Sequence, residues 1–238
     1  MSATESIAQN LALIRERMAA AAVRAGRGPD SITLMAVSKT IAPEHIAEAH
    51  TAGIRCFGEN RVQEFAEKLP RLQHLADAKW RLIGHLQSNK AKKAVELFHT
   101  VDSVDSLTLA RKLDQAAAQA DRQLEVLLEI NIGGEESKAG LAVTSPELEQ
   151  ILQAAPELEH LRICGLMTVP PYTEDPEGAR PWFRGLRQLR DTITARHLPA
   201  IRMDVLSMGM SHDFEVAVEE GSTCVRVGSA IFGARPKP

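Results

Sequence analysis

Leu34-Met35-Ala36-Val37-Ser38-Lys39-Thr40 is an apolar, β-type run that ends abruptly in a lysine. With Ile32 just ahead of it, the run reads as a strand buried on both faces, as strands of parallel sheets are. Lysine is a poor choice at the inner end of such a strand unless its amine has a partner or a chemical task. Two readings stand. The amine of Lys39 snorkels from the strand end into water, or it is desolvated, so that its pKa falls from about 10.4 and neutral nucleophile is available for Schiff-base chemistry near pH 7.

The pattern repeats along the chain. Further strands are expected at 54–57, 80–83, 99–102, 124–131, 161–166, 203–206 and 223–227, each separated from the next by a segment of helical periodicity. Start signals mark several helices: Pro43, Ser88, Ser145-Pro146, Asp175-Pro176 and Ser211, while Gly53, Pro70 and Gly221 stop three of them. An amphipathic helix at 3–25 precedes the first strand, with Ser2 and Glu5 forming a capping-box pattern. Eight strands in strict βα alternation predict an α/β fold: a single (β/α)8 TIM barrel with an N-terminal helix preceding strand 1, one domain over residues 1–238. An open doubly wound sheet would need a glycine-rich dinucleotide turn after the first strand, and Val37-Ser38-Lys39-Thr40 is not one.

Composition narrows the function. The 238 residues are 44% hydrophobic and 25% charged, with a net charge of −3, which argues against nucleic acid or an anionic membrane as the main partner. No apolar run reaches the ~20 residues that span a bilayer, and no signal-peptide pattern opens the chain. Cys56, Cys164 and Cys224 lie far apart in apolar segments, which suits buried, reduced thiols in a cytoplasmic protein. The eight histidines show no metal-ligand spacing, so no metal is expected.

In a parallel barrel the site forms where strands end. Those positions hold Ser38-Lys39-Thr40, Gly58-Glu59-Asn60, Gly84-His85, Asp102-Ser103, Asn131-Ile132-Gly133, Ser207 through Ser211, and Gly228-Ser229. The last two loops stand where such barrels hold phosphate, and both offer glycines, hydroxyls and the head of a helix. Ordinary capping by Ser211 would also account for the first of them. Arg226 lies inside the eighth strand and faces either out between helices or inward toward the barrel mouth. A lysine amine, a phosphate cradle holding Ser207, Gly209, Gly228 and Ser229, and an inward Arg226 together describe a site for pyridoxal 5'-phosphate.

At this point the residues resemble a known family. The heptad at 34–40, Phe57-Gly58-Glu59-Asn60, Ile83-Gly84-His85-Leu86-Gln87-Ser88-Asn89-Lys90, Leu206-Ser207-Met208-Gly209-Met210-Ser211, and the stretch from Val225-Arg226-Val227-Gly228-Ser229 to Arg235 resemble the pyridoxal phosphate homeostasis proteins. The resemblance runs from about residue 5 to the C-terminus. It implies an alanine-racemase-like barrel that holds the cofactor as an internal aldimine on Lys39, with Asn60 near the ring. It further implies Ser207, Gly228 and Ser229 at the phosphate, and Arg226 at the ring nitrogen. The implied role is binding and supplying pyridoxal phosphate, with PLP-requiring apo-enzymes as recipients and no catalytic residues. No exposed apolar stripe demands a dimer, so a monomer is the default expectation. Three places depart from the family pattern: Arg61, His212, and the end Pro236-Lys237-Pro238.

The alternative is a PLP-dependent amino-acid racemase of narrow specificity. An arginine at the pyridine nitrogen leaves that nitrogen unprotonated and the ring a weaker electron sink. A two-base racemase also needs an acid/base group opposite Lys39, for which His85 and the lone tyrosine, Tyr172, are the candidates. A third possibility is a barrel enzyme that acts on a phosphorylated metabolite without an aldimine.

Overall fold

The computed structural model describes residues 6–135 and 138–233. Ser6 opens the first helix, α1 (Ile7–Arg24), with a reciprocal capping box: Ser6 Oγ accepts from Gln9 N, and Gln9 Oε1 accepts from Ser6 N. The expected Ser2–Glu5 box lies outside the described residues. Ile7, Leu11, Ile14 and Met18 line the buried face of α1, as their spacing requires.

The barrel follows as β1 (Thr33–Val37), α2 (Pro43–Thr51), β2 (Cys56–Glu59), α3 (Val62–Lys68), β3 (Lys79–Leu82), α4 (Ala91–Leu97), β4 (Thr100–Val104) and α5 (Leu107–Gln119). It continues as β5 (Leu124–Asn131), β6 (Leu141–Ala142), α6 (Pro146–Ala154), β7 (Leu161–Met167), α7 (Arg180–Ala195), β8 (Ile201–Met210), α8 (Phe214–Glu219), β9 (Cys224–Val227) and α9 (Ser229–Phe232). Every strand pairing is parallel; β1 pairs with both β2 and β9, and β4 pairs with β5, so eight strands close into a barrel. The two-residue β6 hangs on the edge of β5 and is too short to leave a periodic signal. Helix α1 lies against α2, α8 and α9, in the gap after the last strand, where Asn10 Nδ2 donates to the Ile231 carbonyl.

Most of the apolar core lies between the strands and the helices. The barrel interior holds only small apolar groups: Met35 with Cys56 and Cys224, and Leu127 with Cys164 and Met167. Ile83 and Val205 pack against these groups, and charged side chains share the interior with them. Arg81 on β3 donates to both carboxylate oxygens of Asp102 on β4, at 2.9–3.1 Å. Burial works against the Arg81 charge, but the Asp102 carboxylate more than reverses this and holds the guanidinium above its usual range. All three cysteines are buried and none is in a disulfide.

Boundaries differ from the sequence reading in four informative places. Strand β8 runs on through Met210, so Ser207-Met208-Gly209 is strand rather than loop. A bulge permits this: Ser207 and Met210 pair with Cys224 and Arg226, which leaves one extra residue on β8, and Gly209 sits at φ +92°. Ser211 caps no helix, because α8 starts at Phe214 behind Asp213. Ser88 and Asp175 each lead into a short 3-10 turn before α4 and α7 begin. Asp102-Ser103 belongs to β4.

No described helix is long and apolar enough to cross a membrane. Leu11 is fully buried where α1 seals the barrel, so Leu11→Ala is expected to cost about 2–5 kcal/mol. Urea titration should show a lower midpoint with an unchanged slope.

Candidate functional site

The turn that carries Lys39 is bound from four sides. Ser38 N donates to the Gly58 carbonyl (2.9 Å) and Ser38 Oγ to Glu59 Oε1 (2.7 Å). Lys68 Nζ donates to the Ser38 carbonyl (2.9 Å), and Thr40 N donates to Glu64 Oε1 (2.6 Å). Thr40 adopts φ 62°, a left-handed conformation that these bonds hold in place. Beneath the turn Glu59 is fully buried, with Lys68 Nζ 3.2 Å from both of its oxygens. Burial raises the Glu59 pKa, with Lys68 and Ser38 opposing. Lys39 is therefore presented from a rigid base. It is partly buried rather than fully so, because it stands one residue beyond Ser38, which is itself fully buried.

Arg226 faces inward, the orientation left open by alternation along β9. Its Nη1 donates to the Ser207 carbonyl (2.6 Å) and to Ser207 Oγ (2.9 Å), while Nη2 donates to the Thr168 carbonyl (2.6 Å). Burial lowers its pKa, and the charges of Asp102, Glu129 and Asp213 pull the other way.

Lys39, Asn60, Arg226, Gly228 and Ser229 all line one cavity of about 500 Å³ at the C-terminal mouth of the barrel. Ser207 and Gly209 do not line it, which corrects their expected place. Ser207 is fully buried behind Arg226, and Gly209 packs under α8, where an added Cβ would fall 2.5 Å from the Ala217 Cβ. The β8 bulge carries the contact role onward to Met210, Ser211 and His212, all three of which line the cavity. The sequence leaves Ser211 either as a hydroxyl of the phosphate loop or as a helix cap. The structure uses it to join the last two loops, its Oγ accepting from Gly228 N (3.2 Å) and Ala230 N (3.4 Å). Asn60 keeps its place because Gly84 lies against it: a Cβ there would stand 2.3 Å from the Asn60 carbonyl oxygen.

His85 does not line the cavity; it is exposed and its Nδ1 lies 3.2 Å from Asp105 Oδ2. Tyr172 is also exposed, with its ring 5.7 Å from that of His212. Glu129, on β5, drew no attention in the sequence because alternation there merely marks it as inward. Its Oε2 is buried without a hydrogen-bond partner among the described residues. Burial first, and Asp105 second, push its pKa up to about 7 against the pull of Arg226 and His85.

The cavity can accept a small anion beside a ring. The amides of Gly228 and Ala230 already converge on an oxygen, and the Ser229 hydroxyl lies alongside. At the other side stand one amine, Lys39, and one amide side chain, Asn60, with the Arg226 guanidinium at the base. Fold and site together define a closed parallel barrel of the alanine-racemase type, with an amine, a guanidinium and a glycine-serine turn on one rim. The model for the alanine racemase N-terminal domain matches residues 4–236. A pyridoxal phosphate homeostasis protein of Aquifex aeolicus is 43% identical over 227 residues, covering 95% of this chain and 97% of that one. One of Escherichia coli strain K12 is 43% identical over 231 residues, covering 96% and 97%. The chain belongs to the pyridoxal phosphate homeostasis protein family. The structure of PipY of Synechococcus elongatus with PLP bound superposes with a TM-score of 0.80 at 39% identity, covering 92% of this chain and all of that one. An alanine racemase of Clostridium difficile shares the fold at 16% identity and a TM-score of 0.71, and this chain spans 57% of it.

Two substitutions test these electrostatics. Lys68→Met strands the buried Glu59 carboxyl and is expected to lose about 3–5 kcal/mol in urea unfolding. The folded state holds the Glu129 proton between about pH 4.3 and 7, where the unfolded chain has released it. That stability is present below the unfolded pKa and is lost as pH rises through 7. Glu129→Gln should flatten this decline, gaining about 1–3 kcal/mol over the parent at pH 8 relative to pH 5.

Proposed function

We propose that the chain binds pyridoxal 5'-phosphate and serves cofactor homeostasis as a holder and supplier rather than a catalyst. The observation that carries this reading is the meeting of Lys39, Arg226 and the Gly228-Ser229 turn around one cavity. In it, the Lys39 amine condenses with the cofactor aldehyde, forming an internal aldimine and releasing water. Arg226 faces the ring nitrogen and keeps it unprotonated, Asn60 borders the ring, and Gly228, Ser229 and Ser211 take the phosphate. Ser207 and Gly209 position Arg226 and the β8 bulge. The protein acts as one domain and as a monomer in the cytoplasm, with apo-enzymes that require the cofactor as recipients. The family relatives named for this role support the reading, as does the PLP-bound PipY structure.

His212 on the cavity wall favours a second reading, an amino-acid racemase of narrow specificity, since it supplies a titratable group besides Lys39. Sustained turnover of an amino acid that is lost in His212→Ala would establish it.

Borohydride reduction of the PLP-loaded protein, followed by peptide mapping, tests the first reading. The label is expected on Lys39, and Lys39→Ala should abolish the visible aldimine band while the far-UV circular dichroism is unchanged. A label on Lys90 or Lys138 would overturn the assignment.

A further inference from the structure

The opposite end of the barrel holds a second cavity, of about 580 Å³, which the cofactor reading does not use. Five cationic side chains line it. Two are matched: Arg55 pairs with Asp77, and Arg81 with Asp102. The other three, Lys79, Arg122 and Arg162, form no ion pair within 4 Å among the described residues. Among the described residues lining the cavity, Glu125 is the one carboxylate; it neighbours Arg162 in the β5–β7 register, yet the two do not close to an ion pair. Three cations against one carboxylate leave two positive charges in a concave mouth. Like charges gathered in such a mouth repel one another and focus the potential outward.

His99 adds a directed donor. Its Nδ1 accepts the Trp80 N–H at 3.1 Å, so in the neutral ring the proton sits on Nε2, and His99 lines the cavity. Burial, with Lys79 and Arg122 adding to it, lowers the His99 pKa and keeps the ring neutral. The fork of Arg162 and the ammonium of Lys79 start on inward-facing strand positions, while Arg122 is anchored by a bond from Nη1 to the Val95 carbonyl (2.6 Å). Guanidinium forks, an ammonium and a neutral imidazole N–H around a net charge of two are the donor set of a phosphate dianion.

We infer that this N-terminal mouth is a second anion site, which takes a phosphate dianion either free or as the end group of a small phosphorylated metabolite. It is separate from the Lys39 cavity and independent of the cofactor proposed there. Long-range 1H–15N spectra of the histidine rings read it directly, because His99 is the one histidine lining this cavity. Inorganic phosphate and glycerol 3-phosphate are titrated in turn, with ionic strength held constant by sodium chloride. The expected result is saturable movement of the His99 resonances with either probe, weakened tenfold or more in the Lys79→Ala, Arg162→Ala double variant. It should be unchanged in Ser229→Ala, which alters only the other mouth. The tighter probe tells whether the anion is taken free or as an ester. Arg162→Lys, which keeps the charge, should retain most of the response and guards against a merely unfolded double variant. No movement of His99, equal movement with chloride alone, or equal affinity in the double variant would overturn the site.

Discussion

A buried guanidinium at the base of the cavity organises the upper half of this barrel. Arg226 spends its donors on the carbonyls of Ser207 and Thr168, at the ends of β8 and β7, so one side chain from β9 ties three consecutive strands at their C-terminal ends. A buried charge of this kind is tolerable only with its donors satisfied and with opposite charge nearby. Asp102, Glu129 and Asp213 supply that charge from three other parts of the barrel. The polar interior thus replaces the layered apolar filling common in parallel barrels. It also explains why the apolar core is concentrated outside the strands, under the helices.

The lysine turn follows a different rule. Its rigidity comes from behind, through Glu59, Lys68 and Glu64, none of which lines the cavity. Fixing the backbone from which a long side chain starts narrows what its end can meet. The strained Thr40 backbone fits this arrangement, since several bonds over-determine it.

Much of this was legible in the chain. Buried parallel strands leave long apolar runs, so β1, β5 and β7 stand out by composition, and the βα rhythm leaves little choice but a barrel. Lys39, Asn60 and the Gly228-Ser229 turn were legible because each sits where a strand ends. What periodicity could not reveal was the bulge in β8. One extra residue flips the side chains beyond it to the other face, which brings Met210 and Ser211 to the cavity, while Ser207, ahead of the bulge, stays buried behind Arg226. Glu129 was invisible for another reason. An inward glutamate gains its character from the desolvation and the charges around it, and these belong to the closed barrel, not to its own strand. The cation cluster at the lower mouth is dispersed over β3, β7 and the segments after α2 and α5, and only closure gathers it.

The Ser211 hydroxyl has one more consequence. It already occupies the point to which the Gly228 and Ala230 amides are directed, so both amides have an acceptor within the protein itself. Were an anion to draw those amides away and then depart, the same oxygen would stand ready to accept from them, leaving no amide orphaned. A self-plugging cradle of this kind lowers the penalty for letting a ligand go.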